Sequence, residues 1–213
     1  MKNIKKIVAL LLAISILAGA FVFSASANTQ TETEEEVIVA RMYIGHRARD
    51  NNLSGHTWIY IENLTDHELV VGVYKLAPGK GVSVGTYGTS VKNGPGVYYN
   101  VEAWRYRNYT PEGCIASSKD LTQENFDIVS KKIRSTNTWS YFLNCGYFAL
   151  KVWNSVPGNS LLYLIWPTMT HIQLLATPDH FYGFDMTVPT TEQCYRMIGT
   201  GSDATLEIAD PTY

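Results

Sequence analysis

Residues 141–156, YFLNCGYFALKVWNSV, contain the pattern that decides the fold. From Cys145 onward the apolar residues recur at helical spacing, and Pro157-Gly158 ends the pattern. Asn144 stands where an N-cap residue would accept hydrogen bonds from the first helical turn. We therefore predict a helix that begins at Cys145. Its apolar stripe consists of Phe148, Ala149, Val152, Trp153 and Val156.

The region upstream of this helix has the composition of β-strands. HTWIYIEN (56–63) and ELVVGVYKL (68–76) are aromatic and β-branched, and the four residues between them make a short connection. Two such stretches predict a β-hairpin. VYYNVEAW (97–104) predicts a further strand.

Two more helices are predicted after these strands, one before and one after the Cys145 helix. Residues 120–134, DLTQENFDIVSKKIR, carry apolar residues at helical spacing, and Asp120 with Gln123 resembles a capping arrangement. Residues 168–176 form a third, short helical segment. Because strands and helices are segregated along the chain, the predicted fold class is α+β.

Composition indicates one globular domain. The chain has 213 residues, of which 46% are hydrophobic and 17% charged, and its formal net charge is −2. These values exclude a disordered tail protein, and the lack of a basic surplus argues against a nucleic-acid partner. We assign residues 37–213 to the folded domain.

The N-terminus is typical of an exported protein. Residues 1–27 combine three early lysines, an apolar run and the Ala25-Ser26-Ala27 cleavage pattern, so we expect a signal peptide rather than a retained membrane anchor. Membrane contact is then expected only before cleavage, and the mature protein is secreted. Residues 28–36 are polar and acidic and are interpreted as a flexible leader. Removal of the three lysines changes the formal net charge from −2 to −5.

The three cysteines are Cys114, Cys145 and Cys194. Export permits disulfides, and an odd number leaves at least one thiol outside an internal pair. If two of them pair, we favour Cys114 with Cys194, which leaves Cys145 as the free thiol. Three unpaired cysteines are the alternative.

Cys145 is the candidate nucleophile. A helix N-terminus lowers a thiol pKa, and the backbone N–H of Cys145 is a candidate oxyanion donor. His56 opens a strand and is the best-placed base among the histidines. The other histidines are interpreted as surface or structural residues: His46, His67, His171 and His180.

GHTWIYIEN and YFLNCGYFALKVWNSV together resemble the circularly permuted papain-like cysteine peptidases, relatives of NlpC-type cell-wall peptidases and of the lecithin:retinol acyltransferase group. In that permuted order the His strand precedes the Cys helix. His56 and the run from Cys145 to Phe148 match these two elements, and Tyr141 matches an aromatic residue often found four positions before the cysteine. The resemblance spans residues 54–156. It implies an antiparallel sheet packed against the Cys-bearing helix, with Tyr141 and Asn144 as oxyanion or positioning residues.

The resemblance also implies a third polar residue that orients the base. The predicted hairpin points to Tyr74 near its far end, whereas spacing along the chain points to His67 or Glu68. A partner from elsewhere in the chain, such as Glu102, is a further alternative. The three alternatives on the hairpin stay open at this point, and so does a Cys-His dyad.

By resemblance, the chain is expected to be a secreted thiol hydrolase that cleaves amide bonds through an acyl-enzyme, with a peptide or peptidoglycan substrate and no cofactor. The main alternative is an inactive secreted binding module of the same fold. A lipid acyltransferase is a further variant. Neither CxxC nor HExxH occurs, so no metal site is expected, although His56, His67 and Cys145 are conceivable ligands. A serine hydrolase is disfavoured because no GxSxG occurs.

Overall fold

The computed structural model describes residues 36–48, 55–88, 92–106, 113–163, 167–184, 186 and 193–212. The strands within these residues are β1 (Ile38–Ala48), β2 (Gly55–Asn63), β3 (Leu69–Val71), β4 (Tyr74–Leu76), β5 (Gly81–Tyr87), β6 (Gly96–Tyr99), β7 (Cys114–Thr122), β8 (Phe181–Tyr182), β9 (Cys194–Ile198) and β10 (Thr205–Ala209). The α-helices are α1 (Val101–Tyr106), α2 (Gln123–Arg134), α3 (Cys145–Trp153) and α4 (Pro167–Leu175).

One antiparallel sheet organises the fold. Its strand order is β10-β9-β6-β5-β2-β1-β7-β8, and β3 and β4 pair separately. The long strands of the N-terminal half occupy its middle, where β2 lies between β1 and β5. The predicted α+β class with an antiparallel sheet is therefore confirmed.

Successive side chains of β2 belong to two different packed clusters, one on each face of the sheet. Ile59 and Ile61 belong to the main core, which they share with Phe148 of α3. Trp58 and Tyr60 belong to a second, aromatic cluster. Successive side chains of a strand point to opposite faces, so β2 contributes to both layers. Helix α3 packs on the main-core layer, against β2 and β5.

The predicted hairpin of 56–63 with 68–76 is wrong. Both edges of β2 are occupied, since Ile59 pairs with Ile44 of β1 on one side and with Val84 of β5 on the other. The segment after β2 instead folds on itself as β3 and β4, whose connection includes Gly72 at a φ of 64°. Pairing between distant strands thus displaced the local pairing that the short connection favoured.

Two predicted element boundaries also need correction. The helix predicted over 120–134 begins at Gln123, because β7 continues to Thr122 and the Thr122 side chain caps the helix by accepting from the N–H of Asn125. Asp120 lies in β7 and pairs with Arg41. The strand predicted over 97–104 ends at Tyr99, and residues 101–106 form α1.

The remaining expectations about chain organisation have different outcomes. The third helix, predicted over 168–176, is observed over Pro167–Leu175. Glu36–Tyr213 forms one compact unit. The signal peptide over 1–27, and the leader over 28–36 except its last residue, lie outside the described residues and stay predictions. Among the described helices, none is long and apolar enough to cross a membrane.

Candidate active site

Cys145 begins helix α3, as the sequence predicts. The side-chain Oδ1 of Asn144 accepts hydrogen bonds from the backbone N–H groups of Gly146 at 3.0 Å and Tyr147 at 3.3 Å. These bonds make Asn144 the N-cap and fix where the helix starts. The Cys145 side chain therefore lies at the positive end of the helix dipole, which favours a thiolate.

His56 lies at the start of β2, where its ring is placed to hydrogen-bond the Cys145 side chain. Its ring stacks on Tyr87, with 4.6 Å between ring centroids, and Trp58 lies 5.9 Å away on the same strand. Only 15% of the His56 side chain is exposed. Packing on two aromatic rings restricts the imidazole to an orientation that contacts the sulfur.

Glu102 is the acidic partner of His56. The distance from His56 Nε2 to Glu102 Oε1 is 2.8 Å, and the Glu102 side chain is fully buried. The other carboxylate oxygen accepts a 2.9 Å hydrogen bond from the hydroxyl of Ser83. Because Nε2 is engaged by Glu102, Nδ1 is the ring nitrogen that faces Cys145. The three side chains thus form a continuous Cys-His-Glu arrangement.

Helix α1 brings Glu102 to this position. Asn100 adopts a φ of 66°, a left-handed conformation that asparagine tolerates better than most residues, and there the chain changes from β6 to α1. Glu102 follows in the first turn of the helix. Gly85 of β5 leaves the space that the carboxylate occupies, because a β-carbon at position 85 would overlap Glu102 Oε1.

The electrostatics of the site favour an ion pair. Burial disfavours the charged imidazolium of His56. The interaction with Cys145 and the hydrogen bond to Glu102 outweigh this effect and raise the pKa of His56 to about 9. Burial likewise disfavours the Cys145 thiolate, but the charge of His56 and the hydrogen bonds around the sulfur lower the pKa of Cys145. Both shifts favour the thiolate–imidazolium form of the pair over the neutral form.

Two backbone groups support the thiolate. The backbone N–H groups of Thr57 and Gly146 are placed to hydrogen-bond the sulfur of Cys145, and Gly146 shares its N–H with the Asn144 cap. One comes from β2 and the other from α3, so the sulfur is held between the strand and the helix. Hydrogen bonds to the charged form of a group stabilise that form.

The three hairpin residues predicted as orienting partners have other contacts. His67 is exposed and lies 3.1 Å from Asp66, and Glu68 pairs with Lys75 at 3.5 Å. Tyr74 stacks on Tyr99 in the main core, with ring centroids 5.6 Å apart. The hairpin that placed them beside His56 does not form. Glu102, considered only as a partner from elsewhere, is the residue that the fold brings to the base.

The other predicted positioning residues lie in the loop before α3. The Tyr141 side chain is 62% exposed, and its ring packs edge-on against Phe142. Asn144 Nδ2 donates to the Tyr141 carbonyl at 3.3 Å. Asn144 thus connects the loop to the helix, with its oxygen on the first turn and its nitrogen on the loop.

Cys114 and Cys194 lie on strands β7 and β9, which belong to opposite halves of the sheet. Cys114 packs in the aromatic cluster with Trp58, whereas Cys194 packs with Tyr98. The structure forms no disulfide between them, and their pairing stays a prediction.

Sequence reasoning missed the role of two buried polar residues. Glu102 lies 46 positions from His56, in a segment whose composition is that of a strand, so no local signal connects the two. His46, interpreted as structural or surface, is fully buried. It lies near the end of β1, directly after the buried Ile44 and Gly45, and this position was the signal that pointed to burial.

Comparisons with protein-family models, with curated proteins and with solved structures give no match to this chain.

Proposed function

We propose that this protein is a secreted thiol hydrolase that cleaves amide bonds, with Cys145 as nucleophile, His56 as base and acid, and Glu102 as the residue that orients His56. The observation that carries the proposal is the geometry of these side chains. A cysteine at a helix N-terminus bonds to an imidazole whose other nitrogen lies 2.8 Å from a buried carboxylate. This arrangement supplies an activated nucleophile and a proton donor together.

The reaction follows from the ion pair. The Cys145 thiolate attacks the carbonyl carbon, and the carbonyl electron pair moves to the oxygen. His56 Nδ1 donates its proton to the leaving amine as the carbon–nitrogen bond breaks, which leaves a thioester on Cys145. Neutral His56 then takes a proton from water as the water oxygen attacks the thioester carbon. The carbon–sulfur bond breaks, the acid is released, and Cys145 leaves as the thiolate beside the imidazolium, which restores the starting ion pair. Glu102 keeps the imidazole in the required orientation throughout.

The oxyanion donor in this proposal is the backbone N–H of Cys145. The Asn144 cap takes the N–H groups of Gly146 and Tyr147, which leaves the Cys145 N–H as the first-turn donor assigned to substrate. The order of the chain, with the His strand before the Cys helix, agrees with a permuted papain-like arrangement. We propose that arrangement for the domain.

We propose peptides, including the peptide cross-links of bacterial cell wall, as the substrate class. The proposal rests on the expected export and on the resemblance to exported amidases. A thioester mechanism needs an acyl donor, and peptides are the amide-bond donors outside the cell.

The test is the pH dependence of alkylation of each cysteine in the mature, non-reduced protein, followed by peptide mapping. We expect Cys145 to react rapidly at pH values well below its reference pKa of about 8.5. Cys114 and Cys194 are buried and serve as internal controls that react slowly. His56→Ala should raise the pKa of Cys145, and Cys145→Ala should remove the rapid phase while the protein stays folded.

A contrary result has a definite meaning. Because only 8% of Cys145 is exposed, rapid alkylation needs an activated thiol rather than an accessible one. If Cys145 reacts no faster than an ordinary thiol, or is found in a disulfide, the proposal fails and an inactive binding module becomes the better interpretation.

A further inference from the structure

A second buried polar pair lies on the other side of the nucleophile from Glu102. His46 of β1 pairs directly with Thr57 of β2, and His46 Nδ1 lies 2.9 Å from the Thr57 hydroxyl. Both residues are fully buried. Thr57 is the residue whose backbone N–H is placed to hydrogen-bond the Cys145 sulfur. His46 is thus connected to the thiolate through one intervening residue.

The two buried groups constrain the position of the His46 proton. Burial lowers the pKa of His46 to about 3, so the imidazole is neutral and carries one proton. Within the described part of the chain, the Thr57 hydroxyl has no hydrogen-bond acceptor besides His46 Nδ1. A buried hydroxyl that donates to Nδ1 leaves the proton of His46 on Nε2.

His171 of α4 lies beside the His46 ring. The His46 and His171 rings meet edge to face, with 5.4 Å between centroids. His46 Nε2 and His171 Nδ1 are both buried and have no hydrogen-bond partner among the described residues. The titratable groups that act on His46 are His171 from α4 and His56 from β2.

The His46 ring has little freedom to move. A β-carbon at Gly55 would lie 2.6 Å from its Cε1 and 2.7 Å from its Nε2, so the Gly55 backbone packs directly against the ring. Ile115 of β7 is its partner on the other neighbouring strand. The ring is therefore a rigid support for Thr57.

We propose that His46 is a positioning residue for the nucleophile. As the neutral Nε2–H tautomer, it accepts a hydrogen bond from the Thr57 hydroxyl and so keeps the Thr57 backbone N–H directed at the Cys145 thiolate. The inference rests on the proposed role of Cys145 and adds a second support, independent of Glu102, for its low thiol pKa.

The test measures the alkylation rate of Cys145 as a function of pH, which gives the thiol pKa, and compares this pKa between the wild type and matched variants. Thr57→Val keeps the shape and the backbone N–H but removes the hydroxyl, and His46→Leu removes its acceptor. Each should raise the thiol pKa and slow alkylation at pH 6 about tenfold, the effect of one pKa unit. Thr57→Ser and His46→Asn keep a hydrogen-bonding atom near the same place and should restore most of the rate.

Thr86→Val is the control. Thr86 lies on the neighbouring strand β5, and its buried hydroxyl has no hydrogen-bond partner among the described residues. Its removal should leave the thiol pKa unchanged. The inference is overturned if Thr57→Val leaves the thiol pKa as in the wild type, or if Thr86→Val raises it equally. If His46→Leu does not fold, the Thr57 variants decide.

Nitrogen NMR of the wild-type imidazoles separates the two proposals. We expect His46 to be neutral, protonated at Nε2 and accepting at Nδ1, which does not depend on catalysis. A proton on Nδ1 overturns the positioning role alone. An ordinary thiol pKa for wild-type Cys145 overturns the proposed hydrolase, whatever the tautomer of His46.

Discussion

The carboxylate of Glu102 occupies the place where any residue other than glycine at position 85 would carry its β-carbon. Gly85 lies in β5, beside the strand that carries His56, and a β-carbon there would also come within 3.2 Å of His56 Nε2. The hydrogen bond between His56 and Glu102 therefore depends on a strand residue that takes no part in it.

Gly85→Ala should separate Glu102 from His56. The displaced carboxylate no longer supports the imidazolium, so we expect Cys145 alkylation at pH 6 to slow at least about tenfold. Gly113→Ala is the matched control, since a β-carbon there meets nothing within 4 Å.

A double-mutant cycle shows whether Gly85→Ala acts through Glu102. If it does, adding Gly85→Ala to Glu102→Ala should cause little further loss of reactivity. Additive losses would contradict this explanation and would indicate a general disturbance of β5.

Glu102→Gln should change the pH range over which the ion pair exists. His56 loses its proton as the pH rises through its pKa of about 9. Below that pH the imidazolium attracts anionic iodoacetate, so the rate ratio of iodoacetate to neutral iodoacetamide should be high, and it should fall above about pH 9. Without the carboxylate the His56 pKa is lower, so the ratio should fall at a lower pH. An unchanged midpoint in the variant would show that Glu102 does not support the charge.

Asn144→Ala should affect both stability and reactivity. Loss of the cap costs about 1 kcal/mol in free energy of unfolding, and it frees the first turn of α3 to move. Thr122→Ala removes the corresponding cap of α2 and should cost a similar amount, since the Thr122 side chain accepts from the N–H of Asn125. Denaturant unfolding measures both costs. Only Asn144→Ala should slow Cys145 alkylation, and equal effects on alkylation would exclude a special role for the α3 cap.

His46 should make the protein sensitive to acid. Its pKa is lowered to about 3 in the folded protein, against about 6.5 in the unfolded chain. The unfolded state therefore binds a proton first, and stability falls as the pH drops from 6.5 towards 3. At pH 5 the loss from this group is about 2 kcal/mol.

Unfolding in urea at pH 7 and pH 5 measures this loss. His46→Asn has no titratable group at this position, so its free energy of unfolding should depend less on pH than that of the wild type. An equal pH dependence in the two proteins would show that His46 is not the buried group responsible.

Local signals in the sequence determined the helix that carries Cys145. Asn144, Cys145 and Pro157-Gly158 define α3 through a cap, a helical stripe and a terminator, and each acts within a few residues. The strand of His56 was equally clear, because its aromatic and β-branched residues favour extended backbone wherever they lie. Export and hydrolysis are expectations from the sequence and stay predictions.

Only the tertiary structure decided the partners of these elements. Strand pairing depends on which distant segments meet, and β1 and β5 occupied the edges of β2 that a local hairpin would have used. The left-handed Asn100 turned an apparent strand into the helix that presents Glu102. The same long-range pairing placed His46 beside Thr57. The positions of Cys145 and His56 at the starts of their elements were thus readable from local pattern, whereas the contacts of Glu102 and His46 required the fold, because they join segments far apart in the chain.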